Sequence, residues 1–279
     1  MNCRNDVLCR ISEVQALPAS AVSAIRKLDD PAANLNDVAD CLKHDPGLTA
    51  NILRLANSAV FGSKRQLGSL REAAMRLGAA RLGQLILTAA MPSAARHEIK
   101  GYDLPSGRLL SAAMTTAFGM EEIASVLHIQ LPPHAYTAAL LADIGKIVLG
   151  TFIEVDAGPI LEFSRTAHVP FDVAEREILG IDHAEVGGAL LEHWNLPPTL
   201  SEIVRWHHVP ESCPNPSETL DLVHLAAHLS MLTGQLGFAD GLNYRLSESV
   251  VARRRLKNRE LEFAMCRATA RLEEAQRGI

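Results

Sequence analysis

The residues of this sequence best placed to do chemistry lie in its second half. An apolar helical run over 138–142 ends on a single carboxylate, Asp143, followed by Ile144, Gly145 and Lys146. A carboxylate at that point can accept backbone N–H groups or pair with His183 or His208, fixing two helices against each other. Lys146 then reads as a solvated charge at a helix end. His183 falls in the first turn of a helix. His207 and His208 sit at a helix C-terminus, where imidazolium suits the dipole. His224 and His228, four residues apart, could hold a metal ion, but no third ligand is in view and they read as a packing or surface pair.

Helices must position these groups. Leu17-Pro18 opens one over about 19–28, and Asp29-Asp30-Pro31 stops it. Asn34 or Asn36 caps a second, and Asp45 with Pro46 at the first helical position starts a third. Asn57 reads as a C-cap tolerant of left-handed geometry, with that helix closing near Phe61-Gly62. Ser69 and Glu72 form a capping box, Gly78 breaks the helix after Leu77, and a longer apolar helix follows over about 79–95. The stretch from Glu98 to Ser106, with Gly101 and Pro105, reads as a connection.

Beyond it, helices are expected over about 106–127, 133–150, 155–168 and 171–179. Asp182 and Glu185 then cap a helix to Trp194, and Thr199 and Glu202 form a capping box for one to about Trp206. Ser217 caps a helix to about Leu232, 234–243 reads as a loop, and a charged helical segment spans about 247–276. No run alternates strongly enough for a β-strand. The class is all-α.

Bulk composition narrows the function. Hydrophobic residues make up 48% and charged residues 21%, ordinary for a globular protein, so 279 residues support a sizeable core. A net charge of −5 gives no global attraction to nucleic acid or an acidic membrane. The one basic cluster, Arg253, Arg254, Arg255, Lys257 and Arg259, reads as a solvated face. Cys3, Cys9, Cys41, Cys213 and Cys266 lack metal-finger spacing and read as free thiols in a reducing compartment. With no apolar leader and no membrane-length apolar stretch, the expectation is a cytoplasmic protein.

Several of these segments together resemble a known family. Leu17-Pro18 and the run from Asp45-Pro46-Gly47-Leu48-Thr49 to Leu55-Ala56-Asn57-Ser58 are similar to the first half of the HDOD family, the HD-related output domain of bacterial signalling proteins. Leu140 to Lys146, Gly180 to Gly187, Trp194-Asn195-Leu196-Pro197 and His207-His208-Val209-Pro210 resemble its second half. The resemblance covers about 12–235, with an N-terminal helical bundle over about 12–97, an HD-phosphohydrolase-like lobe over about 105–235, and a helical tail at 240–279 outside it.

What the resemblance implies is a two-lobed helical output module related to metal-dependent HD phosphohydrolases. An active HD centre needs a histidine, a His-Asp doublet and a later aspartate around one metal. Here the first histidine's place falls near Leu110-Ser111, the doublet has Ala142 for its histidine, and the late aspartate's place near Ala226-Ala227 is empty, with Asp221 a turn or more away. Only Asp143 remains.

His183, His207 and His208 stand where the related HD-GYP phosphodiesterases keep extra ligands. With Asp143 they would make a nitrogen and oxygen set suited to zinc, iron or manganese. The expectation is nevertheless no catalysis, no cofactor and no metal. Asp143, Lys146, His183, His207 and His208 are then polar anchors of an ancestral pocket. The module would act on a signalling protein partner, with a nucleotide second messenger or its enzymes as further candidates. The rival reading is a metal-dependent phosphohydrolase or cyclic-dinucleotide phosphodiesterase with an atypical ligand set.

Overall fold

A computed structural model describes residues 3–30, 34–57, 66–91, 93–152, 157–234 and 243–277. Among these no strand forms; one antiparallel bridge joins Ile99 to Leu104. The first half packs α2 (Ala19–Asp29), α3 (Leu35–Leu42), α4 (Pro46–Ala56) and α5 (Leu70–Ala90) on one another, while α1 (Cys3–Cys9) reaches instead to the second half. That half comprises α6 (Arg108–Val126), α7 (Ala135–Leu141), α8 (Lys146–Phe152), α9 (Gly158–Ala167), α10 (Phe171–Leu179), α11 (His183–His193), α12 (Pro198–Trp206) and α13 (Glu218–Leu232). Helix α6 runs through it, against α7 and α13. The tail forms α14 (Glu248–Arg254) and α15 (Asn258–Arg277), the latter laid along α6.

Local chemistry sets most helix starts. The Asn34, Asp45, Ser69, Asp182 and Ser217 side chains each accept a backbone N–H of the helix they open, which removes one of four orphan donors per helix. Gly78 breaks α5 in the left-handed region, φ 76°, with helix on either side. Buried apolar side chains from Val7 to Leu272 form one continuous core across both halves.

Several expectations are corrected. The single helix over 133–150 is two, separated by a turn at 142–145. The helix expected to reach 95 ends at Ala90. Thr199 and Glu202 form no capping box, because α12 begins at Pro198 with Pro197 as its uncapped N-cap. Asn57 is not left-handed (φ −90°); its amide instead bonds Leu53 O, and Leu67 O and N, tying the two ends of a loop. The tail breaks at Arg255, φ 52°, and its basic cluster is partly engaged: Arg253 and Arg254 pair with Asp221. The expected helix close at 58–62 and most of the loop at 234–243 lie outside the described residues.

Candidate functional site

The turn at 142–145 places Asp143 where α11 and the end of α12 meet. It can come so close because residue 145 has no side chain: a Cβ there would lie 2.0 Å from His183 O and 2.5 Å from Gly187 N, both backbone atoms. Gly187 faces the turn from α11, where a Cβ would meet Val204 Cγ1 at 2.9 Å. Two glycines therefore let the turn and α11 approach within backbone contact, with the Val204 side chain of α12 packed against them.

All five expected residues meet here. One donor atom from each of Asp143, His183, His207 and His208 lies within 4.8 Å of the others, and all four side chains are buried. Lys146 Nζ is 2.7 Å from Asp143 Oδ1, and Lys146 is 0% exposed. The expectation of a solvated lysine is therefore wrong: the first turn of α8 points inward, carrying the ammonium to Asp143 and to within 5.8 Å of the Tyr102 ring centre. Asp143 does pair with His183, at 3.4 Å to Nε2, and so ties its turn to α11 as expected.

Each histidine is fixed from outside through Nδ1. His183 Nδ1 lies 2.7 Å from Glu175 Oε2, His207 Nδ1 2.8 Å from Val204 O, and His208 Nδ1 2.8 Å from the Tyr244 hydroxyl. The Nε2 atoms turn inward. Those of His183 and His208 are 2.7 Å apart, and that of His207 has no hydrogen-bond partner among the described residues. Glu175, on α10, also accepts the His183 backbone N–H at 2.9 Å and the Tyr102 hydroxyl. Three donors and no acceptor mark it as a carboxylate.

Electrostatics follow from this packing. Burial opposes charge on Asp143, but Lys146 and His183 outweigh it and hold its carboxyl well below the usual range. Burial likewise opposes charge on His183, yet Glu175 and Asp143 keep its imidazolium favoured well above the ordinary histidine value. Two buried anions, Asp143 and Glu175, thus face two buried cations, Lys146 and His183. His207 is pushed down to about 4 by burial, and His208 well below its usual value by burial and its histidine neighbours. Neither is the imidazolium expected at the helix end, because burial and the neighbouring His183 and Lys146 cations outweigh the nearby Asp143 carboxylate.

Reasoning from sequence missed Glu175, Tyr102 and Tyr244. His224 and His228, read as a packing or surface pair, are packed. His224 is locked, its Nδ1 2.8 Å from His207 O and its Nε2 accepting Ser247 N at 3.0 Å, while His228 stacks on Tyr244.

The HD centres that this sequence resembles hold a metal, and the donor set here fits one in part. Three imidazoles and a carboxylate suit a divalent ion, and the His207 Nε2 lone pair aimed inward is what a ligand requires. Glu175, Val204 O and Tyr244 stand as the outer partners that orient metal-binding histidines. Against this, 2.7 Å between two nitrogens is a hydrogen bond. Two ligands at about 2.1 Å from one ion in tetrahedral geometry would sit about 3.4 Å apart. The resemblance sets the places of the other HD ligands near Leu110-Ser111, at Ala142 and near Ala226-Ala227, the three alanines fully buried, and Asp221 is engaged by Arg253 and Arg254.

Comparison with known proteins agrees with this architecture. The family model for the HDOD domain matches residues 14–210. A solved HDOD domain protein of unknown function from Geobacter sulfurreducens is 25% identical, with TM-score 0.67 over 96% of this chain and 89% of that one. A Shewanella amazonensis SB2B protein, provisionally described as a phosphohydrolase, is 23% identical with TM-score 0.71, covering 98% of this chain and 97% of its own. An uncharacterized protein of Treponema pallidum (strain Nichols) is 26% identical over 83% of this chain; the chain spans 44% of that relative's length. These helices around a buried polar cluster define an HD-related output fold. The chain belongs to the HDOD domain family.

Proposed function

We propose that this protein is a non-catalytic regulatory module, acting by binding a signalling protein partner or a small ligand rather than by hydrolysis. One observation carries the reading: the buried cluster already balances its own charge. Lys146 and His183 offset Asp143 and Glu175, so the ion that an HD centre uses to neutralise carboxylates has its part taken by an ammonium and an imidazolium. Such a cluster fixes α8, α10, α11 and the end of α12 relative to one another, giving a rigid body on which a partner surface can be carried. The family membership and a fold neighbour from Marinobacter aquaeolei VT8, described in signal-transduction terms, support this role. A cytoplasmic setting and a nucleotide second messenger, or the enzymes that handle one, belong to the same proposal.

A second reading rests on His207 Nε2, the lone pair left without a partner. In it, Asp143 and the three Nε2 atoms hold zinc, iron or manganese, which when bound would supply an activated water for phosphoester hydrolysis. Elemental mass spectrometry of natively purified, untagged protein, with a hydrolysis screen over phosphoesters and cyclic dinucleotides, decides between the two. Substoichiometric metal and no turnover, unchanged in Asp143→Asn, are expected. Stoichiometric metal with hydrolysis lost in Asp143→Asn would establish the enzyme instead.

A further inference from the structure

The tail touches the cluster through residues 243–247, which lie outside the span matched by the family. Residues 243–246 belong to no helix. The Asn243 amide donates to Ser164 O at 3.1 Å and Val169 O at 3.4 Å, at the end of α9. The Tyr244 hydroxyl meets His208 Nδ1 at 2.8 Å, and its ring stacks on His228 with centres 5.4 Å apart. Ser247 N–H donates to His224 Nε2 at 3.0 Å. The chain then enters α14, which Arg253 and Arg254 fix to Asp221.

Tyr244 is partly exposed, whereas His208 beneath it is buried, with the His207 and His183 ring centres 3.9 Å and 4.8 Å from its own. The tyrosine is thus a layer between solvent and the inward Nε2 atoms. The other walls of the site are held differently. The 142–145 turn, α8, α10 and α11 are joined by the buried pairs of Asp143 with Lys146 and His183, and of His183 with Glu175, and by the close backbone approach at Gly145. None of the contacts named for 243–247 is an ion pair, and a hydrogen bond without a charged partner is roughly half as strong as one with it. Those bonds are also only part-buried, so water can replace each one that breaks. Of the walls, this segment therefore costs least to release, and its release leaves the ion pairs intact.

We propose that residues 243–247 form a strap that opens as a unit and governs access to the cluster, His208 being the first histidine uncovered. The proposal rests on the binding reading and deepens it: a small ligand would enter beside His208, and the tail would regulate its entry.

Two rates measured on the full chain test this: exchange of the Ser247 amide hydrogen, read by NMR, and modification of His208 by a brief pulse of diethylpyrocarbonate, read by peptide mass spectrometry. In the wild type, Ser247 is expected to be far less protected than the Val204 amide within α12, because the strap opens without the body. Tyr244→Phe keeps the stack on His228 and removes the bond to His208. It is expected to speed both rates by the same factor, about fivefold, as loss of one hydrogen bond implies. Asn243→Ala, which releases the other end, should also speed the two together. Ser247 protected as strongly as Val204, Ser247 exchange unmoved by Tyr244→Phe, or His208 modification unmoved by both variants overturns the proposal. Neither rate reads metal content or hydrolysis, so the strap and the non-catalytic reading fail separately.

Discussion

Lys146 Nζ and Asp143 Oδ1 lie 2.7 Å apart, three residues from each other in sequence and both buried. A pair so placed is valued by what its breakage leaves behind. Lys146→Met leaves the buried Asp143 with His183 as its remaining cationic partner and should destabilise the fold by about 3 kcal/mol, the lower end of what loss of one partner of a buried pair costs. Asp143→Asn alone removes the carboxylate that faces the buried Lys146 and should cost a similar amount. The double variant removes both charges and should cost clearly less than the sum. Urea unfolding of the four proteins measures that coupling, and additive costs would show that the two groups do not compensate each other.

Stability should peak near neutrality, because the histidines pull in opposite directions. The folded pKa of His183 is raised, so its contribution is complete below its unfolded value of about 6.5 and is lost as pH rises through the folded value. For His207, held at about 4, and His208, also lowered, the sign reverses. Below about pH 6.5 the unfolded chain takes up protons that the folded one refuses, so stability falls as the medium becomes acidic. Asp143, its pKa lowered, adds a further loss only in stronger acid, below about pH 3.9. Urea midpoints across pH should trace a dome with its top near 6.5, and His183→Gln should flatten the alkaline side.

Glu175 should be as important to the cluster as any residue that faces its centre. It binds both the backbone and the ring of His183 and takes the Tyr102 hydroxyl on its other oxygen. Glu175→Gln keeps the shape and removes the charge, so it should lower the His183 pKa and cost about 1–3 kcal/mol through the weakened bonds. Ring-proton NMR titration reads the first effect; a His183 pKa unmoved by the substitution would mean that Asp143 alone sustains the imidazolium.

How far the sequence discloses this arrangement depends on the range of the force involved. Helix starts at Asp45, Ser69, Asp182 and Ser217 are legible, since a cap and its N–H lie two or three residues apart. The break at 142–145 is not: Ala142 and Ile144 suit a helix, and the turn answers to α11, some forty residues on. Burial of Lys146 was hidden for a related reason, because an Asp and a Lys three apart look alike in solvent and in a core. Glu175 carries no local mark. Tyr102 and Tyr244 carried one that could have been used: the chain has only three tyrosines, and both of these end with their hydroxyls on the cluster's outer bonds.

Gly145 offers the sharpest test of that long-range constraint. A methyl group at 145 would fall 2.0 Å from His183 O and 2.5 Å from Gly187 N, and both are backbone atoms of α11 that no rotamer change can move. Gly145→Ala must therefore push the turn off α11, lengthening the Asp143–His183 and Asp143–Lys146 contacts together. The expected cost is about 3 kcal/mol or more, with the His183 pKa falling as its carboxylate retreats. Gly83→Ala is the control: its new methyl meets Leu28 Cδ1 at 3.2 Å, the end of a side chain that can rotate away. It should cost less and leave the His183 titration unchanged. Urea unfolding and NMR titration of both variants check this, and equal effects at the two positions would mean that the α11 backbone yields as readily as a side chain.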